Sequence, residues 1–338
     1  MSLLTSPINI GRLELSNRLT MPPMATAKSN ENGEVTQELC DYYAEKSAGS
    51  YIGLIISEHS YINPEGKASK GQLSIAKDSD IEGLEKLTAT IHQNHTITFA
   101  QINHAGGLAK EEITGHAPLS ASSVEMPKGS RSKVVPTEMT QEDIKKVITD
   151  FAAAALRAKK AGFDGVEIHA AHGYLLTQFY SPLTNKRTDQ YNGSSIEGRI
   201  RLHLEIIQAI REVVGKDYPI AIRLGASDHR PGGTTIADSV IAAQEFEKAG
   251  VCLLDISGGF SFYTHPDLKE QGYFSDLTEA IKQNVTIPVL LTGGIVDAEV
   301  AEKLLREEKA DMIGVGRAIL KDSDWAKQAI RTLGNQEN

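Results

Sequence analysis

Two cysteines in 338 residues are too few for a disulfide framework, a four-thiolate zinc site or an iron–sulfur cluster. Cys40 falls in a helical pattern and Cys252 in a strand pattern, so a reduced, cytoplasmic setting is the expectation. Basic charge is also short, since 35 Lys and Arg against 44 Asp and Glu leave a formal net charge of −9. That balance repels a phosphate backbone, and no basic stripe overrides it, which sets nucleic acid aside as a partner. No apolar run reaches the roughly eighteen residues of a membrane span. Met1 to Gly11 carries neither a basic leader nor a long apolar core, so neither a membrane anchor nor a secretion signal is expected. Internal repeats, low-complexity tracts and Pro/Gly/Ser linkers are missing as well. The expectation is therefore a single domain over residues 1–338.

What is present is a chain with 40% hydrophobic and 23% charged residues, enough to bury a large core. From Gly53 onward, short β-branched apolar runs alternate with longer stretches of helical periodicity, the signature of parallel β–α units. The strand candidates are Leu19–Met24, Gly53–Glu58, Ile97–Gln101, Gly165–His169, Ile220–Leu224, Cys252–Ser257, Val289–Gly293 and Met312–Val315. Helix candidates between them include Asp80–Asn94, Thr140–Ala161, Ile196–Val214, Ile236–Ala249 and Asp297–Glu308. Thr140 with Asp143 has capping-box spacing. Such a set predicts an α/β fold, a (β/α)8 TIM barrel, with Ile8–Leu15 forming an N-terminal β-hairpin cap. An open doubly wound sheet is the alternative, but its Gly-x-Gly-x-x-Gly fingerprint is absent. Two long connections, His104–Thr140 and Ala170–Ser195, follow the third and fourth strands, on the side where barrels build binding sites.

The fourth strand ends in Glu167-Ile-His169-Ala-Ala-His172-Gly-Tyr174. Two imidazoles can donate hydrogen bonds to a carbonyl or nitro oxygen, and a phenol can supply a proton. The competing readings are a buried core histidine with a packing tyrosine, and a metal-dependent hydrolase site in which His169 and His172 join Glu167 or Asp255. Strands seven and eight end in Thr292-Gly-Gly294 and Gly314-Val-Gly-Arg317, where backbone N–H groups and an arginine can hold a phosphate. With no Walker or Rossmann pattern, a mononucleotide-type cofactor is indicated. Arg223, in an otherwise apolar strand, needs a counter-charge: either Glu167 or Asp255, or the negative charge of a reduced flavin ring. Gln101, with an amide that both donates and accepts, can read the edge of such a ring.

With those residues placed, the chain resembles the old yellow enzyme family of FMN-dependent ene-reductases from about Leu4 to about Ile330. The resemblance rests on Asn17-Arg-Leu-Thr-Met-Pro-Pro-Met24, Gln101-Ile-Asn-His-Ala-Gly106, His169-Ala-Ala-His-Gly-Tyr174, Ser181-Pro-Leu-Thr-Asn-Lys-Arg-Thr-Asp-Gln-Tyr191 and the two glycine turns. It implies non-covalent FMN as cofactor and NAD(P)H as reductant. Pro23, Met24 and Ala25 would flank the flavin, with Gln101 and Arg223 on its pyrimidine edge. Ser257, Gly258, Gly293, Gly294, Gly316 and Arg317 would border the ribityl phosphate. His169 and His172 would grip the oxygen of an enone or nitroalkene while Tyr174 protonates carbon. The implied partners are small molecules; a homo-oligomer is compatible with the sequence but not spelled out by it.

Three positions depart from the family pattern. Ala25 stands where many relatives carry Thr or Cys, Ala27 where one subgroup has Tyr, and His59 where relatives often have a small residue. Larger relatives append an iron–sulfur cluster and a second flavin domain, and the expectation from the cysteine count is the smaller kind. The segment Val124–Pro136 holds Lys128, Arg131 and Lys133, a basic loop able either to lid a pocket for an anionic substrate or NADPH phosphate, or simply to stand in solvent. Outside alkene reduction, a flavin-binding protein without a dedicated alkene substrate is the remaining reading.

Overall fold

The computed structural model describes residues 2–129 and 132–335. Its twelve strands, in chain order, are β1 (Ile8–Ile10), β2 (Leu13–Leu15), β3 (Leu19–Met21), β4 (Leu54–Tyr61), β5 (Ile97–Asn103), β6 (Leu119–Ser120), β7 (Thr137–Glu138), β8 (Gly165–Ala170), β9 (Ile220–Ser227), β10 (Leu253–Gly258), β11 (Val289–Thr292) and β12 (Met312–Gly314). Eight of them close a parallel barrel in the order β10-β11-β12-β3-β4-β5-β8-β9. First and last barrel strands meet through Ile313↔Leu19 and Gly314↔Thr20. This is the expected (β/α)8 barrel, and the rival open sheet is set aside.

Strand ends differ from the sequence expectation for local reasons. β3 stops at Met21 rather than Met24, because Pro22 and Pro23 have no N–H to offer a ladder. β4, β5 and β9 run on to Tyr61, Asn103 and Ser227. The helix Gln141–Lys160 opens as expected, with Asp143 N donating to Thr140 Oγ1 and Thr140 N to Asp143 Oδ2.

β1 and β2 pair antiparallel, Ile8↔Leu15 to Ile10↔Leu13, and turn through Gly11 at φ +54°. Ile10 and Leu15 are fully buried in one cluster with Leu54, Ile56, Phe99, Ala221, Leu253, Leu290 and Met312, all near the starts of barrel strands. The hairpin is thus an apolar plug in the amino-terminal mouth, and functional groups are left to the other end. The long connections carry structure of their own: β6 pairs with β7 in the first, and the helix Leu175–Tyr180, wholly buried, lies in the second. Among the described residues no helix is long and apolar enough to cross a membrane.

Candidate active site

A cavity of about 410 Å³ opens at the carboxyl ends of the barrel strands, within the usual range for cofactor and substrate sites. Its walls come from around the whole barrel. Pro22 to Ala25 follow β3, His59 lies on β4, Gln101 on β5 and Arg223 on β9; His169, His172 and Tyr174 close β8 and its turn. Thr292 ends β11 and Gly294, Ile295 and Val296 follow it, and Gly314, Gly316 and Arg317 lie at the end of β12. Ser257, Gly258 and Gly293 are not among the lining residues and stand just behind them. Ser257 Oγ meets His172 Nε2 at 2.8 Å, and Gly258 O accepts from His172 N at 3.1 Å. Gly293 O accepts from Gly272 N.

Strand register explains the buried polar pairs beneath the cavity. Gln101 faces Glu167 across β5–β8, and Arg223 faces His169 on one side and Asp255 on the other. Gln101 Nε2 donates to Glu167 Oε1 at 2.8 Å, while Glu167 Oε2 is buried without a hydrogen-bond partner. Arg223 Nε stands 3.1 Å from Asp255 Oδ2, out of line for a hydrogen bond. Of the two counter-charges weighed for Arg223, the structure gives Asp255. Burial, with Asp255 adding to it, pushes the Glu167 carboxyl well above its ordinary range, and Arg223 and Gln101 only partly oppose this. Burial raises Asp255 too, against the pull of Arg223. Arg223 thus shares the cavity floor with two buried carboxyls whose charged forms burial disfavours. Among the described residues no group of three or more His, Cys, Asp or Glu is arranged to hold a metal ion.

The β8 end gathers four rings. His169 lies 5.0 Å from both His172 and Tyr174, edge to face, and His59 stacks on Tyr174 at 5.6 Å. Burial holds the His169 imidazole well below its usual pKa, and the neighbouring His172, Arg223 and His59 act in the same direction, so it is neutral. Its Nδ1 accepts from Ala171 N at 3.3 Å, which leaves the proton on Nε2. His172 Nε2 shares a hydrogen bond with the Ser257 hydroxyl, which can serve either as its donor or as its acceptor. His172 sits at φ +60°, followed by Gly173 at +73°, a left-handed pair that folds the imidazole back over the strand it has just left.

On the opposite wall, Gly294 has φ +69°, and a Cβ there would meet Tyr273 Cε1 at 2.5 Å; one on Gly316 would meet Met24 Sδ at 2.8 Å. Arg317 Nη2 donates to Tyr273 OH at 3.4 Å. Tyr273, Phe262, Tyr263, Ala68 and Ser69 also line the cavity but were not singled out from sequence. They sit on the loops that follow β4 and β10, and no local pattern marks them. Of the basic loop, Lys128 and Lys133 are exposed and outside the lining, Arg131 lies outside the described residues, and Met126 is buried against Leu108 and Phe260.

A family model described as NADH:flavin oxidoreductase / NADH oxidase matches residues 3–336. An NADH oxidase of Thermoanaerobacter brockii is 43% identical over 326 residues, 95% of this chain and 49% of that protein. An NADPH dehydrogenase of Bacillus subtilis is 37% identical over 335 residues, 98% of this chain and 96% of that protein. The chain thus spans about half the length of the first relative and almost all of the second. An old yellow enzyme homologue from Zymomonas mobilis superposes with a TM-score of 0.85 at 27% identity, over 97% of this chain and 92% of that one.

Proposed function

The chain belongs to the NADH:flavin oxidoreductase / NADH oxidase family, with FMN as cofactor and NAD(P)H as reductant, and from that premise we propose that it reduces activated alkenes such as enones and nitroalkenes. The observation that carries the reading is the donor cluster His169, His172 and Tyr174, held ring to ring at 5.0 Å on one wall of a cavity that has a buried arginine in its floor.

The residues fit the cofactor. A guanidinium at Arg223 and a half-engaged amide at Gln101 suit a pyrimidine edge that both donates and accepts. Gly294, Gly316 and Arg317 line the cavity on one side, where backbone N–H groups and the guanidinium would hold a phosphate. Pro23, Met24 and Ala25 line the same cavity and would flank the ring. Ser257, Gly258 and Gly293 would support the phosphate side from behind. Bound FMN supplies a two-electron carrier that NAD(P)H reduces and an acceptor then reoxidises in the same cavity.

The protein's own part is binding, polarisation and proton delivery. His169 and His172 donate to the acceptor's carbonyl or nitro oxygen and draw charge from the double bond. Tyr174 gives its proton to the carbon beside the activating group. A positioned general acid contributes roughly 10²–10⁴ in rate. Residues 1–338 act in this reading as one FMN-binding barrel domain in a reduced compartment. The test is direct: protein purified without added cofactor should be yellow, release FMN on denaturation, bleach anaerobically with NAD(P)H and regain colour with an enone. Protein that contains no flavin and takes none up would overturn the reading.

A further inference from the structure

The cavity wall made by Pro22, Pro23, Met24 and Ala25 has no ladder of its own. β3 stops at Met21, and two prolines in succession have no N–H with which to pair to a neighbouring strand. The wall leans instead on its two sides. Met24 packs so closely on Gly316 that a Cβ there would meet Met24 Sδ at 2.8 Å. On the other side, Thr26 Oγ1 accepts from Lys28 N at 3.1 Å and gives its one proton to Glu58 Oε2 at 2.6 Å. Ala27 then turns at φ +54°, a left-handed corner that costs a residue with a Cβ. The chain thus bends sharply directly after the residue that Glu58 grips.

Glu58 is 1% exposed. It precedes His59 on β4, and His59 lines the cavity while Glu58 does not. The titratable and charged groups that face it are Lys28 on the loop after β3, itself paired with Glu38, and Tyr42 and Tyr43 of the helix Gln37–Ser47. Tyr43 OH accepts from the Glu58 N–H at 2.8 Å. Burial pushes both phenols up, with Glu58 adding to it, so neither competes for the charge at neutral pH. We propose that Glu58 is a positioning residue: through Thr26 it holds the Pro22–Ala25 wall in place against the flavin, and the hold is tightest when its carboxyl is ionised. The inference rests on the flavin lying along this wall, as proposed above, and not on what the flavin reduces. Ala25 offers a ring only a methyl group and its backbone, so what this wall contributes is its position. A hydroxyl bonds more strongly to a carboxylate than to a neutral acid. Burial lifts Glu58 from 4.5 to about 7, against Thr26 and Lys28. Below that pH Thr26 therefore holds a neutral acid, and above it an anion.

The test measures the Kd of FMN for protein stripped of it, by quenching of flavin fluorescence, at about pH 6 and about pH 8, on either side of the Glu58 value. Glu58→Gln keeps an acceptor for Thr26 but never the charge. Its Kd should match the parent's at the lower pH and be about 3- to 10-fold weaker at the higher one, the gain of one hydrogen bond on acquiring charge. Thr26→Val, of the same shape without the hydroxyl, should be weaker at both, and Thr26→Ser should behave as the parent. The double variant should be no weaker than Thr26→Val alone, because both changes act on one bond. Stability separates holding from folding. Removing a raised carboxyl should make Glu58→Gln the more stable protein at the higher pH, so FMN lost there is not lost through the fold. A Glu58→Gln Kd equal to the parent's at the higher pH overturns the proposal, as does a double variant weaker than Thr26→Val. FMN loss accompanied by easier unfolding in urea also overturns it and makes Glu58 purely structural. A stripped parent that takes up no FMN fails the cofactor reading and this one with it, whereas parent and variants that take it up equally at both pH values fail this one alone.

Discussion

At the scale of single residues, chemistry and structural cost are separable. Tyr174→Phe removes one hydroxyl but keeps the ring that packs on the small cluster of Leu108, Met126 and Phe260, so folding and flavin content should hold. NAD(P)H oxidation needs no proton from that phenol and should run near the parent rate in stopped-flow measurements. Enone reduction should slow by about 10²–10⁴; equal slowing of both steps would make Tyr174 a structural residue. Glu58 offers a different kind of test. It is buried on β4, takes a hydrogen bond from Thr26 Oγ1 at 2.6 Å, and burial lifts its pKa from 4.5 to about 7. A carboxyl whose folded pKa is raised contributes stability below its unfolded value, and that contribution is lost as pH climbs through the folded one. Glu58→Gln keeps the shape and the acceptor without the charge. Above neutral pH the variant should be the more stable by up to about 3 kcal/mol, with the advantage fading towards pH 4.5. Urea titrations at mildly acidic and mildly alkaline pH measure the difference; parallel stability profiles would remove Glu58 from the account.

Elements divide the labour between the two ends of the barrel. Ile10 in the hairpin plug is fully buried among the amino-terminal strand residues, on the far side from the cavity. Ile10→Ala should cost about 2–5 kcal/mol in unfolding free energy while flavin content and kcat stay at parent values, and a changed flavin spectrum would show that the two ends communicate. The barrel strands are legible in the sequence because fully buried parallel strands read as unbroken apolar runs. The hairpin is legible because Ile8–Leu15 alternates about Gly11. Other elements leave no such trace. The helix Leu175–Tyr180 is buried on every side, so it has no polar face to reveal a helical period. Ser275–Lys282 spans barely two turns. The site divides in the same way. His169, His172, Arg223 and Arg317 are readable as polar residues at the ends of apolar strands. Tyr273 acquires its place beside Arg317 only through a contact remote in sequence.

For the molecule as a whole, the cavity is a shared product of all the strands that line it, and its occupant should therefore stabilise all of them at once. A ligand bound only by the folded state at a hundredfold excess over Kd adds about 2.7 kcal/mol. Protein stripped of FMN should melt at a lower temperature than the same protein resupplied, with Tm rising as FMN concentration rises. A Tm indifferent to FMN would mean that the flavin does not bind inside the barrel.

The pairing of β3 with β12 also has a bearing on how the protein is made. Synthesis runs from the amino terminus, so Pro22 to Ala25, on the first wall of the site, leave the ribosome almost 300 residues before Gly314, Gly316 and Arg317 on the last. Until Ile313 and Gly314 have emerged to lie beside Leu19 and Thr20, the nascent barrel is an open sheet with two raw edges, and the cavity wall of Gly314, Gly316 and Arg317 does not exist. Cofactor capture is in this sense an act of completion: a ribosome stalled anywhere before residue 312 should carry a chain that cannot turn yellow.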